Sequence, residues 1–484
     1  MPYSSRLFQT SLGLSLAAAL SACATLPKVT PSAAPKTLAS LPSDQSLPGA
    51  GGQFPQEDWW RVLDDPALDA LMTEALAAAP DMRIATARIA AADALAEQAG
   101  SALAPALSVE GQAGGMKQSY NMGIPAQFVP KGILSSGRLT GSFNLNLDIW
   151  GRNRAALAAA RGEATAARVD AAQTRLLLTT SLATAWVDYA QALAVQDIAA
   201  DVTRLRQEVE TLTESRVAAG IDAQSDLDLA RSRRATAQAE QAGADEAAAL
   251  TRNRIAALLG AGPDRGAQLP RPALKNRPAQ PLPDALAAGL LGRRPDIVSA
   301  RLRAEAAAAR VDVAKRDFYP NINLTALAGV QSLGLSNLFQ TSSETANFGP
   351  AISLPLFDGG RLAGRYRTAH ANYGEAVARY DQTLIAALRE TADVVAARQA
   401  LDQRLRAMET ANVAAEQSAQ LARLRYQAGI GTLLQLNAAM DAALSARRGL
   451  TEAKARADTL DIALIRALGG GFRDNRPMKD APAP

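Results

Sequence analysis

Leu139-Thr140-Gly141-Ser142-Phe143-Asn144-Leu145-Asn146-Leu147-Asp148-Ile149-Trp150-Gly151-Arg152 decides how the rest of the chain is read. From Leu139 to Ile149 the odd positions are apolar or glycine, and the even positions are Thr140, Ser142, Asn144, Asn146 and Asp148. Strict period two over about eleven residues is the length and pattern of a barrel strand with lipid on one side and water on the other. The same alternation sets Leu107 and Val109 against Ser108, Glu110 and Gln112. It recurs as Ile322 and Leu324 against Asn321 and Asn323, and as Phe348, Ile352 and Leu354 against Asn347 and Ser353. Pro350 and Pro355 weaken the last of these, because proline brings no N–H to a ladder. Taken alone, such segments also fit the edge of a soluble β-sandwich.

After Gly151-Arg152 the period changes. Residues 131–262 and 356–476 contain no proline and are rich in Ala, Leu, Arg, Gln and Glu, which favour helix. Ile198, Val202, Leu205, Val209 and Leu212 are spaced four and three in alternation, a heptad seam. From Arg152 to the break at Gly220 a helix would be roughly 100 Å long at 1.5 Å per residue. A second long helix returns to Gly260.

The whole pattern occurs twice. Pro80-Asp81 recurs as Pro295-Asp296 and Pro105 as Pro320, 215 residues on. Gly151-Arg152 recurs as Gly360-Arg361, Gly220 as Gly429 and Leu259-Gly260 as Leu468-Gly469, 209 residues on. A six-residue indel between Pro105 and Gly151 reconciles the two offsets. The predicted organisation is a signal peptide at 1–22, an extended lipidated segment at 23–58, and a first repeat at 59–260 with strands over about 105–149. A Pro-rich linker at 261–283 leads to a second repeat at 284–469, with strands over about 320–357, and a flexible tail at 470–484.

Arg6 followed by the apolar run Leu12 to Leu20 reads as a secretory leader, too short to span a bilayer as a mature helix. Leu20-Ser21-Ala22-Cys23 looks like a bacterial lipobox, which predicts cleavage before Cys23 and its modification as an S-diacylglycerol, N-palmitoyl cysteine. An ordinary signal peptide with an incidental cysteine is the plainer alternative. Ala24 is compatible with sorting to the outer membrane. Cys23 is the only cysteine, so no internal disulfide is possible. Without Arg6, 50 basic side chains face 47 acidic ones, a balance that gives no basic field for nucleic acid. No later stretch reaches the roughly 20 apolar residues of a membrane helix, so any crossing must use strands. Four strands cannot close a barrel, and open edges in lipid leave unpaired backbone groups. Two chains would supply eight strands and three would supply twelve.

Several motifs resemble those of the outer-membrane efflux proteins related to OprM, NodT and TolC. Trp59-Trp60, Asp65-Pro66, Leu68 and Leu71 resemble that family's opening, and Arg293-Arg294-Pro295-Asp296-Ile297, Ala304-Glu305 and Phe318-Tyr319-Pro320 the start of its second repeat. Leu147-Asp148-Ile149-Trp150-Gly151-Arg152 and Phe357-Asp358-Gly359-Gly360-Arg361 resemble its strand-to-helix junctions. The resemblance covers about residues 57–470. It implies a mainly α fold with transmembrane β: a homotrimer whose twelve-stranded β-barrel in the outer membrane is continuous with a periplasmic α-barrel. It also implies docking to a periplasmic adaptor (membrane fusion) protein and an inner-membrane pump of the resistance-nodulation-division class. Pro263, Pro270, Pro272, Pro278, Pro281 and Pro283, with the two termini, would form a belt around the α-barrel.

Such a protein is a passive exit duct for drugs or other solutes, with no catalytic residue, metal or cofactor. Arg216 with Gly220 and Arg425 with Gly429 mark the expected tips and adaptor contact; arginines at these places also fit simple helix ends. The resemblance places the gate at Asp226 and Tyr426, joined by a hydrogen bond. The basic position two after the second glycine is Gly431 here, and the expected acidic ring has Gln435 and Asn437 as its nearest equivalents. These departures imply a gate held by hydrogen bonds and weaker cation selection. His370, the only histidine, sits on a helical stretch and reads as a surface residue, and no phosphate loop or zinc spacing is present. Type I secretion and metal efflux fit the same duct, and a periplasmic coiled-coil scaffold would leave the four strands unexplained.

Overall fold

The computed structural model of the chain describes residues 26–29, 34–43, 45–49, 51–121, 123–274, 281–283, 286–474 and 476. The expected leader and Cys23 lie outside the described residues.

Helix α1 (Pro66–Ala78) starts on Asp65, whose carboxylate accepts from the N–H groups of Ala67 and Leu68, with proline at the first helical position. Helix α2 (Pro80–Ser101) follows directly. Strands β1 (Ala106–Met116) and β2 (Leu134–Asn146) come next, then α3 (Arg152–Ala218) and α4 (Gln224–Leu258) as one long hairpin. A short helix α5 (Pro263–Ala267) opens the linker. The second half repeats the plan with α6 (Leu286–Arg293), α7 (Pro295–Arg316), β3 (Asn321–Leu333), β4 (Glu344–Ser353), α8 (Arg361–Gln427) and α9 (Leu433–Ala467). The halves match in length: α2 and α7 have 22 residues, α3 and α8 have 67, α4 and α9 have 35. At 1.5 Å per residue, α3 and α8 each run about 100 Å. No helix among the described residues is long and apolar enough to cross a membrane.

The four strands form one antiparallel sheet in the order β1-β2-β3-β4, so the repeats join edge to edge through β2 and β3. Leu107 lies opposite Phe143, Phe143 opposite Ala326, and Ala326 opposite Phe348, a continuous apolar row. Ile322 opposite Ile352 extends that face. The other face is polar: Ser108 and Ser142 are hydrogen-bonded at 2.7 Å, and Asn146 donates to Asn321 and Asn323 at 2.6 and 2.8 Å. Edges β1 and β4 have no partner strand among the described residues.

The strands end earlier than the alternation suggests, at Asn146 and Ser353 rather than about 149 and 357. Asp148 turns out of the ladder with φ +44, and its carboxylate accepts from the N–H groups of Asn153 and Arg154 at 2.8 and 3.0 Å. Asp358 does the same for Gly360 and Leu362 at 3.0 and 2.7 Å. Each junction therefore uses its aspartate to start a long helix, satisfying N–H groups that would otherwise be orphaned.

Two hydrophobic cores sit where the hairpins meet the linker and the chain termini. One gathers Trp59, Trp60, Leu68, Met72, Trp186 and Ile255; the other gathers Leu286, Leu290, Ile297, Leu384 and Leu388. Asp65 is buried in the first, where its second oxygen accepts from Trp186 Nε1 at 2.8 Å and from the Ala273 N–H at 2.9 Å. Arg294 is buried beside the second. It holds Asp296 and Glu390 and donates to the carbonyl of Ala467 at the end of α9. Along α4, the buried Ala230, Ala237 and Ala244 recur every seven residues, so the middle of its contact seam is made of alanine methyl groups, with Leu227 and Ile255 buried nearer its ends. Gly260 and Gly469 sit on the backbones of Ala78 and Arg293, 215 residues apart, with no room for a side chain at Gly469.

The start of the tail expected to be flexible is packed. The backbone at Gly471 lies against Gln56, the Asp474 N–H donates to the Gly292 carbonyl at 2.8 Å, and Asp474 accepts from Arg301 at 2.8 Å. The N-terminal segment runs alongside the second hairpin. Leu47 is in the second core, the Lys36 N–H donates to Asp381 at 2.8 Å, and Val29 packs near Phe318, Leu362 and Tyr366 at the strand-to-helix junction.

Candidate functional site

The far ends of the hairpins bring together most of the residues singled out in the sequence. Both long helices end in the same cap. Gly220 has φ +71; its N–H donates to the Val217 carbonyl at 3.0 Å and that of Ile221 to the Arg216 carbonyl at 2.8 Å. Gly429 has φ +76, with matching bonds from Gly429 to Tyr426 and from Ile430 to Arg425. This is the glycine-terminated pair of bonds that satisfies the last carbonyls of a helix. Open space surrounds the Cβ position of Gly220, so Gly220→Ala meets no steric obstacle, only the left-handed backbone. Gly220→Ala should cost about 1–2 kcal/mol and Gly220→Asn less, read as a lowered melting temperature. Equal melting of the two variants would show that the cap does not depend on that conformation.

Arg216 and Arg425 are equivalent by position but differ in use. Arg216 grips Asp222 with two bonds, Nε to Oδ2 at 2.7 Å and Nη2 to Oδ1 at 2.9 Å, and its Nη1 donates to the Tyr426 carbonyl at 3.1 Å. Its guanidinium lies 4.7 Å from the centre of the Tyr426 ring. The Tyr426 hydroxyl donates to Asp222 Oδ2 at 2.8 Å and lies 2.8 Å from Thr213 Oγ1. Because the carboxylate only accepts, the phenol proton goes to Asp222, and the phenol oxygen is left as an acceptor beside the Thr213 hydroxyl, whose one proton is shared between it and the Val209 carbonyl at 2.8 Å. Tyr426 is 1% exposed. One cluster thus ties the ends of both hairpins. Arg425 is exposed.

The charges fit this geometry. The hydrogen bonds from Arg216 hold the Asp222 carboxyl below its ordinary range, with the Tyr426 hydroxyl acting the same way. Burial pushes the Tyr426 phenol up, and the neighbouring Asp222 carboxylate adds to that. The partnership with Asp222 raises Arg216 in turn.

Within the chain, Tyr426 pairs with Asp222 and not with Asp226. Asp226 Oδ2 accepts from the Ala223 N–H at 3.2 Å, which closes the start of α4. Gln435, 209 residues on, does the same at the start of α9: its Oε1 accepts from the Thr432 N–H, and its own N–H donates to the Thr432 hydroxyl, both at 3.2 Å. Both side chains are used as helix caps, which is why neither reaches across to the other hairpin.

Asn437 is buried and accepts from Arg206 of α3 through Oδ1. Arg206 also donates to Asp441 at 2.6 Å, and Arg233 of α4 reaches the other Asp441 oxygen at 3.2 Å. This is a second tie between the hairpins, about 10 Å from Thr213 along α3. Burial lowers the Arg206 pKa, while Asp441 opposes that shift. Sequence reasoning missed Thr213, Asp222, Arg206 and Asp441. Arg206 interrupts the seam between Leu205 and Val209, and a charge at such a place was the available signal. At the outermost point, Ile221, Ile430 and Leu434 are 63, 78 and 73% exposed.

Among the described residues, no group of His, Cys, Asp and Glu could hold a metal ion. A family model described as outer membrane efflux protein matches residues 71–261 and 286–470, which coincide with the two repeats. The fusaric acid resistance protein FusA of Burkholderia cepacia is 35% identical over 324 residues, 66% of this chain and 60% of FusA. The multidrug resistance outer membrane protein MdtP of Escherichia coli strain K12 is 30% identical over 441 residues, 90% of each chain. The crystal structure of the outer membrane protein VceC of Vibrio cholerae superposes with a TM-score of 0.81 at 39% identity, covering 87% of this chain and 100% of VceC.

Proposed function

The chain belongs to the outer membrane efflux protein family and is an outer-membrane efflux channel with a large periplasmic extension; we propose that it works as a homotrimer, the passive exit duct of a tripartite pump. The observation that carries this reading is the sheet: four strands, an exposed apolar face and two unpaired edges. In lipid those edges need partners, and three chains would close twelve strands with β4 of one chain beside β1 of the next. Adaptor and inner-membrane pump would engage the hairpin tips. With Arg216 held inside by Asp222, the contact surface there is Ile221, Ile430, Leu434 and Arg425. The pump, of the resistance-nodulation-division class in this reading, would select the cargo. The names of MdtP and FusA point to drugs and small organic acids. The neutral Gln435 and the buried Asn437 favour weak cation selection, and nothing in this role calls for catalysis.

We infer that Cys23 carries the lipid. Val29 packs at the junction that ends the strands, and six residues of extended chain span about 20 Å, enough to reach the membrane surface from there. Deleting the gene should sensitise the cell to drugs, dyes or bile salts, and wild-type protein should restore resistance. Cys23→Ser should remain uncleaved and unacylated, and should complement less well. Unchanged sensitivity across the whole panel after deletion would count against the efflux role.

A further inference from the structure

A cavity of ≈ 340 Å³ lies where the sheet gives way to the long helices. Its walls include Arg152, Arg316, Arg361, Arg365, Trp150 and Tyr319. Two of the arginines are occupied. Arg152 pairs with Asp317, and Arg316 donates to the Gly151 carbonyl at 2.9 Å. The carboxylates at hand are also committed, Asp317 to Arg152 and Asp148 to the start of α3. Arg361 stands 3.9 Å from Asp358, whose oxygens already accept from Gly360 and Leu362. No carboxylate among the described residues is within ion-pair distance of Arg365. Spaced by four, Arg361 and Arg365 share one side of α8. The cavity wall therefore carries four arginines against two aspartates, and a guanidinium can hold a phosphate through paired N–H donors.

The setting is that of a membrane surface. Trp150 donates to the Pro320 carbonyl at 2.9 Å and stacks on Tyr319 with centroids 5.2 Å apart, a rigid amphipathic wall. The cavity lies at the end of the sheet and is lined from both faces, by Ile322 of the apolar face and by Asn146, Asn321 and Ser353 of the polar one. Just before α8, Leu356 and Phe357 are 80 and 92% exposed and follow directly on Pro355, which lines the cavity. Cations to hold a phosphate next to bare apolar side chains suit a lipid, whereas a free phosphate would need only the first.

We propose that this cavity binds the phosphodiester headgroup of an anionic phospholipid on the periplasmic side of the outer membrane, with its acyl chains against Leu356 and Phe357. The proposal rests on the outer-membrane location of the sheet, which fractionation of the cell checks separately.

The test is native mass spectrometry of the full-length protein from detergent, titrated with equal phosphatidylglycerol and phosphatidylcholine. Phosphatidylglycerol should be retained at least fivefold over phosphatidylcholine, and the Arg361→Gln/Arg365→Gln protein should lose that preference. Circular dichroism should show that the variant keeps its helix content. The variant Arg379→Gln, exposed and far along α8, serves as the charge control and should behave as wild type. Equal retention of both lipids, an unchanged preference in the double variant, or an equal loss in Arg379→Gln would overturn the proposal. So would full displacement of phosphatidylglycerol by millimolar inorganic phosphate, which would mark a free-phosphate site.

Discussion

In planar bilayers, the Asp222→Ala channel is expected to conduct at rest well above wild type. Asp222 accepts two bonds from Arg216 and one from Tyr426, and without it the phenol loses its acceptor and the guanidinium its anion. Losing such charge-assisted bonds across a partly exposed contact should cost about 2 kcal/mol per chain, which is about 30-fold in a tip's opening equilibrium. Asp226→Ala is the matched control: it removes a helix cap worth about 1 kcal/mol and should leave resting conductance near wild type. If Asp226→Ala opens the channel and Asp222→Ala does not, the gate belongs to Asp226, as the family resemblance suggested.

The pH response follows from the same pair. Asp222 is held below its ordinary range, so its contribution is complete above that range and is lost as pH falls through the lowered value. Tyr426 is raised, so its contribution is complete below the ordinary phenol range and is lost as pH climbs through the raised value. Resting conductance should be flat between roughly pH 5 and 9 and rise below about pH 4. A rise centred near neutrality would point to another group.

The largest loss of stability is expected from Asp65→Ala. Its two oxygens accept from Ala67, Leu68, Trp186 and Ala273, which belong to the start of α1, the middle of α3 and the linker. Alanine would remove a helix cap, strand the buried Trp186 donor and leave the part-buried Ala273 N–H without its acceptor, together costing about 3–5 kcal/mol. The apparent melting temperature should fall on the order of 10 °C. Asp65→Asn keeps one acceptor and should land between. A melting temperature within a degree or two of wild type would mean that water or a nearby carbonyl takes over those donors.

Much of this architecture was legible because it rests on periods. Alternation marked both faces of the sheet, proline-free tracts marked the long helices, and Gly220 and Gly429 marked their ends. The duplication then fixed each element twice. The residues that tie elements together were harder to read, because their partners are chosen in space. Asp222 and Asp226 follow Gly220 by two and six residues, and the chain order alone does not say that the first is gripped by Arg216 while the second caps α4. Asn437 read as a polar residue of the passage, yet it is buried against an arginine 231 positions away. The strand ends were overrun because Asp148 fits the alternation while its carboxylate serves the next helix.

A tube of three such chains would present six hairpins of matched length, and by length alone its mouth would close with sixfold symmetry. The tie at its end is not duplicated, however. The positions equivalent to Asp222, Tyr426 and Thr213 in the opposite repeats are Gly431, Val217 and Ala422, so only the arginine is kept, and Arg425 has no such acid to grip. Each chain therefore carries one clasp, between unlike halves. The mouth would be held at three points, and it should widen as three separate leaves around a triangular aperture.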